Sequence, residues 1–297
     1  MLKNLNVFIE IAKSKPKKTI AVAAAEDKPV LEAVSNASKE GICEAILVGH
    51  KDKIEEITNE LNINLTKFKI IEEKDPKISS KIAVEQVRSG NAHILMKGLV
   101  GTADFLRAIL DKENGLRSGK LLSHIGFFES PNYYKLIALT DVAQNIAPTL
   151  DEKIEILNNA IDMFHRLGIS EPKVAVLAAV ETVNPKMPAT LDAALLTMMN
   201  KRKQIKGCII DGPLAFDNAV SKDAAEHKGI VSEVAGDADL LFVPNIEVGN
   251  VLYKSFTYFG NATVAAIILG AKAPIVLTSR ADSEKSKLMS IALAASF

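Results

Sequence analysis

The stretch HILMKGLVGTADFLR, residues 93–107, decides the fold class. It opens on a short apolar run, His93 to Met96, passes through a loop with glycines at 98 and 101, and continues with helical spacing from Ala103 to Leu110. A strand, a glycine loop and a helix make half of a β-α-β unit, in which successive strands lie parallel and helices cover the sheet. The same alternation extends in both directions. Strands are predicted at Thr19 to Ala25, Ala45 to Val48, Lys135 to Thr140, Lys173 to Ala179, Gly207 to Asp211, Leu240 to Val243 and Pro274 to Thr278. Helices are predicted at Pro29 to Glu40, Lys51 to Glu60, Lys77 to Ser89, Glu152 to Leu167, Leu191 to Gln204, Asp223 to Val234, Val251 to Phe259 and Glu284 to Ala295.

The rhythm breaks between Gly115 and Thr140. There Ile125 to Phe128 and Lys135 to Thr140 are separated by SPNYY, a turn-rich stretch that reads as a hairpin. The chain of 297 residues suits two domains at about 150 residues each. The expected division is residues 1–123 with 283–297 in a first α/β domain and residues 124–282 in a second, both with mostly parallel sheets. No Gly/Ser linker separates them, so the active site is expected in an interdomain cleft. Phe127, Phe128, Tyr133 and Tyr134 beside the junction suit either an acyl pocket or core.

Thirty-six Lys and Arg balance 36 Asp and Glu. A neutral surface holds no general attraction for nucleic acid or anionic membrane, so neither is an expected partner. The two cysteines, Cys43 and Cys208, are too few for a disulfide framework, and the longest apolar runs fall short of the roughly 18 residues of a membrane span. A cytoplasmic setting is expected. No glycines are spaced G-x-G, and Gly119-Lys120 is followed by Leu121 where a phosphate loop needs Ser or Thr. A G-x-S-x-G elbow and any zinc-type Cys/His spacing are also missing, so neither a metal nor a bound cofactor is expected.

In open α/β sheets ligands gather beyond the carboxyl ends of strands. After His93 to Met96 come Lys97, Gly98, Thr102 and Arg107: glycine lets the backbone approach a ligand, Thr102 is placed to cap the helix, and two cations suit an anion. The same spacing fits a capped helix with two solvated cations. Asp211, Gly212, Pro213 and Asp217 read mainly as a turn. Asn250 is a good N-cap with Lys254 one turn later on the same face. Thr278, Ser279, Arg280 and Asp282 form the densest constellation, a polarising cation beside a proton acceptor, although Asp282 is equally suited to cap the last helix.

The ordered segments KGLVGTADFLRAIL (97–110), DGPLAFDNAVS (211–221), VAGDADLLFVPNIEVGNVLYK (234–254) and KAPIVLTSRADS (272–283) resemble the phosphate acetyl/butyryltransferase family over at least two thirds of the chain. KGLVGT and TSRADS favour its butyryl branch, since acetyl enzymes tend to have SGAxxT-like and LSRG-like versions. The resemblance implies reversible acyl transfer between coenzyme A and inorganic phosphate, with the acyl-CoA thioester and phosphate as substrates. It also implies a fold similar to isocitrate and isopropylmalate dehydrogenases, a homodimer or larger assembly, and an acyl-phosphate kinase acting alongside. The family's Ser-Arg pair falls on Ser279 and Arg280, and the arginine of its TAD-x-x-R helix on Arg107. Where acetyl enzymes carry an aspartate seven residues after that serine, this chain has Ser286, so Asp282 is taken as the base. Lys97, Gly98, Thr102, Arg107, Asn250 and Lys254 are the expected contacts to phosphate and coenzyme A. An acetyl-specific member of the same family is the nearest competing reading, followed by a metal-dependent hydroxyacid dehydrogenase and a non-catalytic acyl-CoA-binding protein.

Overall fold

The computed structural model describes residues 1–278 and 282–297. In chain order its main elements are α1 (Asn6–Ser14), β1 (Lys18–Ala23), α2 (Lys28–Lys39), β2 (Cys43–Gly49), α3 (Lys51–Glu60), β3 (Phe68–Glu72), α4 (Pro76–Arg88), β4 (Ile94–Lys97), α5 (Thr102–Ile109), β5 (Ser123–Glu129), β6 (Ile137–Thr140), α6 (Leu150–Arg166), β7 (Lys173–Leu177), α7 (Pro188–Lys201), β8 (Ile209–Leu214), α8 (Phe216–Val220), α9 (Lys222–His227), β9 (Leu240–Phe242), α10 (Ile246–Tyr258), β10 (Thr263–Leu269), β11 (Ile275–Val276) and α11 (Glu284–Ala295). The architecture is mixed α/β with mostly parallel strands.

The chain divides into two compact units. One comprises Asn6–Lys120 and Ala265–Phe297, the other Met1–Leu5 and Leu121–Val264. In the first unit the strand order is β3-β2-β1-β4-β11-β10, parallel except where β10 meets β11. β1 and β4 pair in register from Ile20↔Ile94 to Ala23↔Lys97, and β11 adds Val276↔Met96, so these three strands end together. Burial on both faces of β4 follows from the helices that flank a parallel sheet. α2 shows how its sequence makes such a helix: the Asp27 carboxylate accepts from the Val30 N–H, Pro29 suits the first turn, and Val30, Leu31, Val34 and Ala37 bury one stripe.

In the second unit the order is β5-β6-β9-β7-β8. β5 and β6 form the expected antiparallel hairpin, with Gly126↔Leu139 and Phe128↔Ile137, and the remaining neighbours are parallel. Phe127 and Phe128 are core residues, Phe128 packing its ring against Tyr253 and Phe256.

The division differs from the expected 1–123 with 283–297 and 124–282. Ala265–Phe297 joins the first unit well before residue 283, because β11 is hydrogen-bonded beside β4 and carries β10 with it. Met1–Leu5 leaves that unit because the Leu136 N–H donates to the Leu2 carbonyl at 2.8 Å and the Leu5 N–H to the Glu129 carboxylate at 2.9 Å. The predicted helix from Asp223 to Val234 is cut short to α9, which ends at His227 before Gly229, whose φ of +66° continues no helix. Among the described residues, no helix is long and apolar enough to cross a membrane.

Candidate active site

The joint ending of β1, β4 and β11 opens a cavity of about 340 Å³ in the first unit, lined by Asp27, Lys97, Gly98, Thr278 and Lys287 among others. Its floor is made by close backbone contact. The Gly98 N–H donates to the Ala23 carbonyl at 2.8 Å and the Leu99 N–H to the Ala24 carbonyl at 2.7 Å. A Cβ on residue 98 would stand 2.2 Å from the Ala24 oxygen, so only glycine fits. Ser79 fixes the opposing turn, accepting from the Ala24 N–H at 2.7 Å and donating to the Val48 carbonyl at 2.9 Å.

Lys97 ends β4 and is only 8% exposed, its ammonium donating to the Gly98 carbonyl at 3.3 Å. Lys287, which local spacing does not single out, lies in the first turn of α11 at 3% exposure. Its Nζ donates to the Asp282 carbonyl at 2.6 Å. Burial pushes the Lys287 ammonium down from its ordinary range, and the Asp282 and Asp27 carboxylates pull it back up. A lysine on the buried face of an otherwise apolar, Ser- and Ala-rich helix was the available signal.

Asp282 does not cap α11. Ser283 does so, its Oγ accepting from the Ser286 N–H at 3.1 Å. Ser286 is buried in the same turn, its hydroxyl accepting from Ser283 Oγ at 3.1 Å. The predicted pair Ser279 and Arg280 lies outside the described residues.

The other expected residues stand elsewhere. Thr102 is the first residue of α5, not its cap: the Phe105 N–H bonds to the Gly101 carbonyl at 3.0 Å, so the helix closes one residue early and Gly101 is the N-cap. Arg107 leaves its side chain 74% exposed and pairs with Asp104. It lines a separate groove of about 500 Å³ with Lys77, Lys81 and Asn114, not the Lys97 cavity.

Asn250 and Lys254 belong to the second unit. Asn245 caps α10 by accepting from the Val248 N–H at 3.1 Å, so Asn250 is within the helix and not its cap. The Asn250 amide donates to the Val142 carbonyl at 3.5 Å, and Lys254 is exposed one turn on. Nearby His124 is buried, its Nδ1 has no hydrogen-bond partner, and its ring meets Tyr253 edge-on. Burial pushes its pKa down against the opposing pull of Asp141, which favours the neutral imidazole. Burial likewise pushes the Cys43 and Cys208 thiols up to about 12, which leaves them as poor nucleophiles at neutral pH.

Residues 5–81 and 74–295 match the family model described as Phosphate acetyl/butaryl transferase. The chain belongs to that family of acyltransferases. Like its relatives in the Phosphate acetyl/butaryl transferase family, it aligns over nearly its whole length. It is 52% identical over 295 residues to a phosphate butyryltransferase of Clostridium acetobutylicum, covering 99% of this chain and 98% of that one. It is 45% identical over 293 residues to a phosphate acetyltransferase of Thermotoga maritima, covering 99% of both. A crystal structure of a branched-chain phosphotransacylase from Enterococcus faecalis matches with a TM-score of 0.84 and 38% identity, over 94% of this chain and 98% of that one.

Proposed function

We propose that the chain catalyses reversible transfer of a short-chain acyl group, butyryl foremost, between coenzyme A and inorganic phosphate. The full-length 52% identity to a phosphate butyryltransferase carries this reading. In the forward direction a phosphate oxygen bonds to the thioester carbonyl carbon, the C–S bond breaks, and coenzyme A leaves as a thiolate that takes up a proton. Lys97 supplies a buried positive charge for phosphate beside a cavity whose backbone Gly98 brings close. Ser279 and Arg280, assigned by family resemblance, would steady the carbonyl oxygen, a donor effect worth about 3 to 4 kcal/mol. Asp282 is the proposed acceptor of the thiol proton in the reverse reaction. Asn250 and Lys254, one turn apart on α10, are proposed as further anion contacts to substrate on the strength of that spacing, while assembly into a homo-oligomer and action beside an acyl-phosphate kinase rest on the resemblance.

Purified protein mixed with acyl-CoA should release free thiol only when phosphate is added. Each buried methylene is worth about 0.8 kcal/mol in a matching pocket, so kcat/KM for butyryl-CoA is expected to exceed that for acetyl-CoA by about tenfold. Equal values, or a preference for acetyl-CoA, would assign the chain to the acetyl reading that the 45% identity to a phosphate acetyltransferase supports. Release without phosphate would make it a thioesterase.

Arg107 is proposed to hold the phosphates of coenzyme A. Because its ion pair with Asp104 is exposed, Arg107→Ala should change stability by less than about 0.5 kcal/mol. Its KM for butyryl-CoA should rise about tenfold. An unchanged KM removes Arg107 from the binding surface.

A further inference from the structure

The cavity beyond β1, β4 and β11 collects acid as well as base. Glu26 and Asp27 line it, and Asp282, one residue before the cap of α11, adds a carboxylate that acts on Lys287. Of the cations among the described residues, Lys28 directs its ammonium to Glu60 at 3.1 Å, which leaves Lys97 and Lys287 as the buried positive charges at the cavity wall. A phosphate dianion entering such a place meets carboxylates first unless they are neutralised, and like charges a few ångströms apart in a partly buried site cost several-fold in affinity at least.

Lys287 is built to neutralise them. It grips the Asp282 main chain at 2.6 Å and feels the carboxylates of both Asp282 and Asp27. Asp27 is itself fixed as the cap of α2, and Asn36 on α2 donates to Glu284 at the start of α11, so the two helices hold these groups in one arrangement. We propose that Lys287 is a positioning residue of the phosphate subsite: its ammonium anchors Asp282 and offsets the Asp27 and Asp282 carboxylates, so that phosphate can enter beside Lys97. This deepens the acyltransferase reading and rests on it.

The test compares wild type with Lys287→Met, which keeps the aliphatic stem, and with Lys287→Met combined with Asp27→Asn, since Asn caps a helix as well as Asp does. With phosphate varied at saturating butyryl-CoA, Lys287→Met should raise the phosphate KM at least about tenfold while the butyryl-CoA KM stays within about twofold. Removing the Asp27 charge in that background should restore phosphate KM at least about threefold, a coupling that a purely structural role would not produce. A phosphate KM within twofold of wild type, an equal rise in both KM values, or no recovery in the double variant overturns the inference.

A second readout needs no turnover. Inorganic phosphate alone should raise the melting temperature of the wild type, and that shift should vanish in Lys287→Met, or in Lys287→Gln if the Met variant does not fold. An undiminished shift in the variants, or none in wild type, also overturns it. A wild type that is stabilised by phosphate yet releases no thiol would sink the proposed function, while the loss of the shift on removing the Lys287 charge would still support the subsite.

Discussion

Lys135→Met is expected to lower the stability of the protein at pH 7 by about 3 kcal/mol, the cost of removing the buried ammonium that two half-buried carboxylates share. Lys135 precedes β6 and is 4% exposed. Its ammonium meets Asp239 at 2.5 Å, the Asp237 carboxylate at 2.9 Å and the Asp237 carbonyl at 3.1 Å. Lys173, the first residue of β7, completes the cluster by pairing with Asp237 at 2.5 Å, and Tyr134 donates its hydroxyl to the same carboxylate. These charges staple together the amino ends of β6, β9 and β7, where the Ala138 and Asp239 N–H groups continue the ladder.

Burial alone would raise the Asp237 carboxyl, but hydrogen bonds from Lys173, Tyr134 and Lys135, with the charge of Lys135, outweigh it and hold it well below the usual carboxylate range. A carboxyl whose folded pKa is depressed adds stability that is fully present above its unfolded value of about 4 and is lost as pH falls through the folded value. The penalty for Lys135→Met should therefore be largest at neutral pH and shrink as pH falls below about 4, where the Asp237 carboxyl, less strongly held without Lys135, takes up a proton. Thermal melts should show a fall of roughly 6 to 12 °C at pH 7. A change below about 1 °C, or a penalty that grows in acid, would contradict this account.

The parallel architecture was legible because strands buried on both faces read as compact apolar runs: β1, β2, β4, β7 and β9 all fall where such runs predict them. Two strands escaped for opposite reasons. β3, FKIIE, lies at an edge of its sheet with Lys69 and Glu72 exposed and no residue fully buried, so its apolar content is too thin to stand out. β10 is part of an unbroken Ala- and Ile-rich run that periodicity alone does not distinguish from a helix. The caps assigned to Thr102 and Asn250 failed because Gly101 and Asn245 come earlier and close the first turn before them.

The position of Lys97 and Gly98 at the end of β4, beside the candidate cavity, was legible from the end of an apolar run and the glycine that follows it. Lys287 was not, because what makes it informative is its meeting with Asp27, which comes from the opposite end of the chain and is brought there only by the packing of α2 on α11. Local spacing carries strand ends and helix caps. It carries no information about charges brought near each other by the second and last helices of a parallel unit.

Gly98→Ala is expected to reduce kcat/KM about a hundredfold, the loss that a misplacement of about 1 Å produces at a reacting centre. The added Cβ would lie 2.2 Å from the Ala24 oxygen and 2.7 Å from the Ala23 oxygen, both backbone atoms tied into β1. Neither can retreat without breaking the hydrogen bonds that the Gly98 and Leu99 N–H groups make there. The loop after β4 must move instead, taking the Lys97 ammonium and the cavity wall with it, and overpacking of this kind costs about 1 to 3 kcal/mol in stability besides. Gly101 in the same loop is the control. A Cβ there meets nothing nearer than Asp104 Oδ2 at 3.8 Å, and its φ of −65° is open to any residue. Gly101→Ala should therefore melt within about 2 °C of wild type, as surface changes free of such clashes do. Equal losses in the two variants would show that loop flexibility, and not the approach of Gly98 to Ala24, is what the reaction requires.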